Sequence, residues 1–275
     1  MMQTLGRGPL AALPALLLIA ACSSEPVGVT DSPEDAQLDL DVARYAADVT
    51  GDDLLFMTDE AGLVMTPNFG RAPMDGGETC SKGIGKIHRC KGGMFGGGFG
   101  SGSLSYTREV TFYDGEGAVM DWYHPLDTES INFFVSMTGE RSNQWGSMQV
   151  SRLRDFTVSG LLNEETSRTW NGTGSASKNR TRVSDDENGD RTYDMSSSTT
   201  VTSVVIPIPR SWPEDGGTIE HSVTVEIVSG AGETTTKTRE VLIEFNGTQY
   251  VPITINGETY TLDLATRQID RGEDG

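Results

Sequence analysis

The sequence predicts a mainly β fold: an antiparallel meander forming a curved open sheet or half-barrel, with one or two N-terminal helices. Three observations predict it. Apolar and polar side chains alternate from position 104 to 264, turn-forming dipeptides separate these runs, and helical spacing is confined to the N-terminal part. Alternation is typical of strands with one buried face, and consecutive hairpins join about eight to ten such strands into a meander.

Within each predicted strand the apolar residues share one parity. Representative sets are Leu104, Tyr106, Val110 and Phe112; Ile131, Phe133, Val135 and Met137; and Ile219, Val223, Val225 and Ile227. The dipeptide Asn256-Gly257 predicts a two-residue turn that pairs Ile253 with Tyr260. At Asn246-Gly247 a three-residue bulged loop is expected, with Val241 opposite Val251, because only that register keeps one apolar face.

Two central segments, 166–182 and 191–200, break this alternation because Ser, Thr, Asn and Arg occupy both parities. A strand with one buried face should alternate. We therefore expect a sheet that projects beyond its core or is wet on both faces here. Disorder is the competing interpretation, against which the β-branched residues and flanking turns argue.

A helix is predicted over 33–49, within a helical segment 32–67. Ser32-Pro33-Glu34-Asp35 has the hydroxyl cap, first-turn proline and acids of a helix start. Leu38, Val42, Tyr45 and Val49 follow at helical spacing, and residues 54–57 form an apolar cluster that predicts a second short helix. This stripe predicts packing against the rest of the protein, in preference to a partner helix.

Residues 68–103 are predicted to be a glycine-rich loop region that contains Cys80 and Cys90. Its run 92–100 lacks the frame of a phosphate-binding loop. Met94, Phe95 and Phe99 are its apolar residues and the candidate contacts with a membrane or partner.

Cys80 and Cys90 are an even pair that a disulfide would join in an oxidising compartment. The alternative is a zinc site formed by both cysteines and His88, although no CxxC spacing supports it. The disulfide is preferred, and no metal or other cofactor is predicted.

Basic residues share the parity of apolar neighbours in two predicted strands. They are Arg152, Arg154, Lys237 and Arg239. Such residues could line a groove for an anionic ligand, or they could lie past the core edge with packed stems and solvated heads. The edge interpretation is favoured.

The N-terminus reads as an export signal. Arg7 precedes an uncharged apolar run, 10–21, which is too short to span a bilayer as a helix. The run ends Ile19-Ala20-Ala21-Cys22, which resembles the lipobox of bacterial lipoproteins. The resemblance implies that residues 1–21 are a signal peptide and that Cys22 is lipidated. The serines at positions 23 and 24 imply transfer to the outer membrane, where acyl chains anchor the protein.

Without residues 1–21 the chain keeps 20 basic and 40 acidic residues, a net charge of −20, since Arg7 is the only ionisable side chain removed. That charge argues against nucleic acid as a partner. The remaining domains are predicted as a lipidated tether (22–31), the helical segment, the loop region, an antiparallel β domain (104–265) and a polar tail (266–275).

The hydrolase motifs GxSxG and HExxH are both absent. The expected function is therefore a non-enzymatic structural or binding role at the envelope membrane, with an unknown protein or lipid partner. The alternative is a carrier or receptor that holds a lipid or acyl chain on a concave sheet. A hydrolase comes third.

Overall fold

The computed structural model of the protein describes residues 33–58, 79–82, 87–97, 101–143, 146–162, 165–182, 191–228 and 234–270. These residues form one helix, α1 (Pro33–Thr58), and thirteen strands. The strands are β1 (Thr79–Lys82), β2 (His88–Gly97), β3 (Ser101–Asp114), β4 (Val119–Met120), β5 (Thr128–Asn143), β6 (Gly146–Ser159), β7 (Ser167–Arg182), β8 (Arg191–Pro207), β9 (Thr218–Val228), β10 (Thr234–Glu244), β11 (Tyr250–Ile255), β12 (Glu258–Asp263) and β13 (Gln268–Asp270).

All strands belong to one antiparallel sheet in which chain order is also spatial order. Only β4 leaves the path, because it pairs with β3 alone, and β3 pairs directly with β5. The sheet begins at β1 and ends at β13 without closing. The predicted fold class, an open antiparallel meander with an N-terminal helix, is confirmed.

The prediction of a loop over residues 68–103 is wrong for the described part of that range. This part contains β1, β2 and the first residues of β3. Strand β2 pairs with β3 from His88 opposite Val110 to Gly97 opposite Ser101. Glycine lacks a side chain but keeps both backbone hydrogen-bonding groups, so a partner strand can order a glycine-rich segment. These added strands explain why the count exceeds the predicted eight to ten.

The helix is longer than predicted: it continues through the apolar cluster to Thr58 as a single element. Gly51 lies inside it, where glycine costs only about 1 kcal/mol relative to alanine, less than tertiary packing can supply. A Cβ at Gly51 would lie 2.3 Å from Nε of Arg267, so the glycine lets this side chain lie against the helix. The rest of the predicted helical segment, 59–67, lies outside the described residues.

The helix α1 packs against one face of the sheet, the inner face, with contacts that run from Phe133 of β5 to Lys237 of β10. Val42, Ala43, Ala46 and Met57 have almost no solvent exposure. The buried side chains of α1 and of the inner sheet face form one hydrophobic cluster. The predicted packing of the helix against its own protein is confirmed.

The polar central strands, β7 and β8, are not solvent-exposed on both faces where α1 crosses them. Ala176, Ser197 and Thr199 are buried, and the Tyr45 hydroxyl donates a hydrogen bond to the Ala176 carbonyl at 3.0 Å. Small inward side chains leave the space that the helix fills, so the expected alternation of large apolar residues is missing.

Two predicted hairpins have opposite outcomes. The turn at Asn256-Gly257 pairs Ile253 with Tyr260 as expected, and both turn residues have positive φ, 48° and 92°. At Asn246-Gly247 the single apolar face is confirmed but the register is wrong, because Val241 pairs with Ile255. The loop 245–249 is longer than predicted, since the Asn246 side chain bonds to the backbone of residues 248 and 250 and holds a wider turn.

Gly172 is required at a bulge between β7 and β8. Its φ is +148°, and a Cβ there would lie 2.1 Å from the Asp155 carbonyl oxygen. Because backbone cannot move aside cheaply, Gly172→Ala is expected to lower the free energy of unfolding by about 2 kcal/mol or more. Chemical denaturation measures this. Gly247→Ala is the matched control, since its φ is also positive but a Cβ there would meet no other group within 4 Å; an equal loss in both variants would contradict the close-approach explanation.

Candidate functional site

The four predicted cations lie on the inner sheet face and pair with carboxylates of α1. Arg152 forms an ion pair with Asp52, with Nη1 2.6 Å from Oδ2, and Arg154 donates a hydrogen bond from Nε to Asp53 at 2.6 Å. At the other end of the helix, Lys237 pairs with Asp35 and Arg239 pairs with Asp35 and Asp39. We call these contacts, with Lys178–Asp48 and Arg267–Asp52, the helix–sheet ion pairs.

These contacts correct both predicted interpretations of the cations, an anionic-ligand groove and a solvated core edge. The anion is supplied by the chain itself, because α1 carries seven acidic residues and one basic residue. Sequence reasoning missed Asp35, Asp39, Asp52 and Asp53, as well as Lys178 and Arg267. The sequence does contain a pattern that indicates these pairs: a predicted helix rich in acidic residues is followed by strands with basic residues at inward-facing positions.

The Arg154–Asp53 pair is the most buried of the set, with side-chain exposures of 8% and 4%. Burial raises the pKa of Asp53, since desolvation outweighs the attraction of Arg154. The Arg154 guanidinium also lies 5.5 Å from the centroid of the Phe56 ring, which adds a cation–π contact. The pair thus joins the helix to the aromatic part of the core.

That aromatic part gathers around Phe56 near the C-terminal end of α1. Its ring lies 5.6 Å from Phe133, 5.8 Å from Trp170 and 6.2 Å from Phe156, centroid to centroid. Edge-to-face and tilted arrangements at these distances are favourable beyond the area they bury. The cluster fills the space between this end of α1 and strands β5 to β7.

A buried histidine links the middle of α1 to the sheet. Nε2 of His221 lies 2.8 Å from the Thr50 hydroxyl, and its Nδ1 lies 2.9 Å from the Thr199 hydroxyl. Desolvation, followed by repulsion from Arg152, lowers the pKa of His221 to about 4. The ring is therefore neutral near pH 7, and one of its nitrogens donates while the other accepts.

Consequently, the inner face is occupied by the protein's own helix. Its cations are neutralised, its apolar side chains contact α1, and its histidine is satisfied by two hydroxyls. A cavity of about 510 Å³ lies beside this region, at the C-terminal end of α1. This cavity is a candidate binding site.

The other predicted site residues are only partly placed. Met94 and Phe95 lie in β2 opposite Leu104 and Ser103, while Phe99 lies outside the described residues. Their role as ligand or partner contacts stays a prediction. Cys22, the predicted lipidation site, also lies outside the described ranges.

Cys80 and Cys90 are directly opposite each other in β1 and β2. Cα atoms of facing residues in antiparallel strands are about 4.5–5.5 Å apart, within the range that a disulfide spans. The predicted disulfide therefore has a compatible backbone arrangement and stays a prediction. His88 is buried, and its Nε2 lies 2.8 Å from the Asp121 carbonyl oxygen. Across the described ranges, no group of three His, Cys, Asp or Glu residues could hold a metal ion.

Comparisons with protein-family models, with curated proteins and with solved structures find no match to this chain. Among the described residues, no helix has the length and apolar character needed to cross a membrane.

Proposed function

We propose that the protein is a lipid-anchored, non-enzymatic component of the bacterial cell envelope with a structural or binding role at the surface of the outer membrane. The observation that carries this proposal is the sequence Ile19-Ala20-Ala21-Cys22 directly after an uncharged apolar run. It is the pattern of a lipoprotein signal, and the serines at positions 23 and 24 favour the outer membrane.

The length of chain between anchor and body supports a role close to the membrane. Residues 23–32 separate Cys22 from Pro33, where α1 begins. Ten residues reach at most about 35 Å when fully extended. An acylated Cys22 would therefore keep the N-terminal end of α1 within that distance of the lipid surface.

The carrier alternative receives less support from the inner sheet face. A carrier of this kind needs an apolar cavity between sheet and helix. In the described part of the molecule α1 fills that space with buried side chains such as Val42, Ala46 and Met57. Lipid could enter there only if α1 left the sheet, which would break the helix–sheet ion pairs.

Replacing Cys22 tests the anchor. In the wild type we expect the N-terminal peptide to begin at Cys22 and to carry the added mass of acyl chains, with the protein in the outer-membrane fraction. Cys22→Ser is expected to lose the acyl mass and leave that fraction, because no other residue in the pattern has a thiol. Mass spectrometry and membrane fractionation measure this.

Ser24→Ala is the matched control, since it changes a neighbouring hydroxyl and leaves the thiol in place. It should retain the acylated Cys22. An unmodified Cys22 in the wild type, or a Cys22→Ser protein that stays in the outer membrane, would overturn the proposal.

A further inference from the structure

The cavity at the end of α1 is a groove between the helix and two loops that follow β8 and β12. It has a volume of about 510 Å³, within the range of small-molecule sites. We call it the α1-end groove. Its lining consists of Gly51, Leu54, Leu55, Thr58, Arg210, Ser211, Trp212, Pro213, Leu264, Ala265 and Arg267.

The charge of this lining is opposite to the charge of the protein. Among the described residues that line it, the two ionisable ones are Arg210 and Arg267, and none is a carboxylate. The whole chain has 40 acidic and 21 basic residues and a net charge of −19. In such a chain, a cavity whose described charged residues are arginines is complementary to an anionic ligand.

The two arginines differ in what they can still bind. Arg267 is already engaged, since its guanidinium bonds Asp52 at 2.7 Å and lies 3.5 Å from the Asp48 carbonyl oxygen. Arg210 is exposed and has no ion pair with any carboxylate of the described ranges. Its guanidinium is therefore the group that can bind a carboxylate or phosphate through bidentate hydrogen bonds.

The apolar part of the lining is unusually accessible. Leu55 is 52% exposed and Trp212 is 37% exposed, and both face the same groove. Large apolar side chains on the wall of one cavity mark a place where a ligand would exclude water. Leu54, Pro213 and Leu264 extend this apolar wall.

We propose that the α1-end groove binds a single acyl chain that ends in an anionic head group. Arg210 binds the head, while Trp212 and Leu55 contact the chain. The proposal deepens the proposed binding role at the membrane surface, but occupancy of the groove does not require acylation of Cys22.

The helix end fixes where the head group lies. The last carbonyls of α1 carry partial negative charge and disfavour an anion on the helix axis. The Thr58 hydroxyl donates a hydrogen bond to the Leu54 carbonyl at 2.7 Å, so its proton is not free to bind a head group. The head group therefore lies on the Arg210 side of the groove, and the chain extends over Leu55.

Photolabelling of the full-length protein in cells tests this. The probes are a fatty acid and a lysophosphatidic acid that each carry a diazirine in the acyl chain, with a fatty alcohol of the same length as the uncharged comparison. We expect either anionic probe to label peptides that contain Leu55 or Trp212, and the stronger probe identifies carboxylate or phosphate as the preferred head. Arg210→Gln is expected to reduce this labelling about tenfold, because a charge-assisted hydrogen bond is lost.

Two matched variants make the result specific. Arg44→Gln removes the same charge from an exposed position of α1 outside the groove, and Tyr250→Ser removes an exposed aromatic ring elsewhere. Both should label like the wild type. Labelling confined to other peptides, labelling by the alcohol as strong as by both anionic probes, or equal losses in Arg210→Gln and Arg44→Gln would overturn the proposal.

The same samples distinguish this proposal from the lipid anchor. The acyl mass on Cys22 reports the anchor alone, whereas labelling of the groove is compared between the wild type and Cys22→Ser. A wild-type protein in which Cys22 is not acylated but Trp212 is labelled supports the groove and contradicts the anchor. An acylated wild-type protein without labelling of the groove supports the anchor and contradicts the groove.

Discussion

Asp53→Ala is expected to lower the free energy of unfolding by about 3–5 kcal/mol, the largest effect of any single substitution considered. The reason is the arginine that remains. Arg154 is buried under α1 with its Nε 2.6 Å from the Asp53 carboxylate, and without that partner its charge has no compensation in the core. Chemical denaturation of the full-length protein measures the change.

A double replacement separates the buried charge from the contact itself. Asp53→Ala with Arg154→Met removes both charges and keeps a long apolar side chain against Phe56, so it should be clearly more stable than Asp53→Ala alone. Asp41→Ala is the matched control, because its pair with Arg44 is exposed and is worth about 0–1 kcal/mol. Equal losses for Asp53→Ala and Asp41→Ala would show that the buried pair does not hold α1.

The stability of the fold is expected to fall in mild acid because of His221. Its pKa is lowered from 6.5 to about 4 by desolvation and by Arg152. Between these values the unfolded chain binds a proton that the folded protein does not bind, so stability rises with pH through this window. The contribution is fully present above pH 6.5, declines as the pH falls, and levels off below about pH 4 after a loss of roughly 3 kcal/mol.

The comparison of His221→Gln with the wild type isolates this effect. Glutamine keeps a donor and an acceptor for Thr50 and Thr199 but does not titrate, so its stability should change much less between pH 7 and pH 4.5. Burial raises the pKa of Asp53, which acts in the opposite direction but is common to both proteins. Parallel pH profiles for His221→Gln and the wild type would contradict the assignment.

The sequence predicted the parts of this fold that depend on local patterns. Alternating residues such as Ile131 and Phe133 face the core, and Asn256-Gly257 forms the expected tight turn. The glycine-rich strand β2 could not be predicted in this way, because its order comes from pairing with β3 and not from its own side chains. The same reason applies to Ala176 and Ser197, because these small or polar residues are buried only where α1 covers them.

The candidate site was harder to predict because it joins residues that are far apart in the chain. Arg154 and Asp53 are 101 positions apart, and no local pattern connects them. The cations were recognised as unusual on an inward face, but their partners in α1 were not. The α1-end groove likewise appears only when the end of the helix meets the loops that contain Trp212 and Leu264.

The position of α1 is central, since it decides whether the inner face of the sheet is a packed core or an open binding surface. Native-state hydrogen exchange of the full-length protein tests it most directly. Because α1 supplies core side chains such as Val42 and Met57, its amides should exchange only through global unfolding, with the same opening free energy as β9 and β11. Exchange of α1 at a much lower opening free energy than these strands would mean that the helix leaves the sheet, and would contradict a packed inner face.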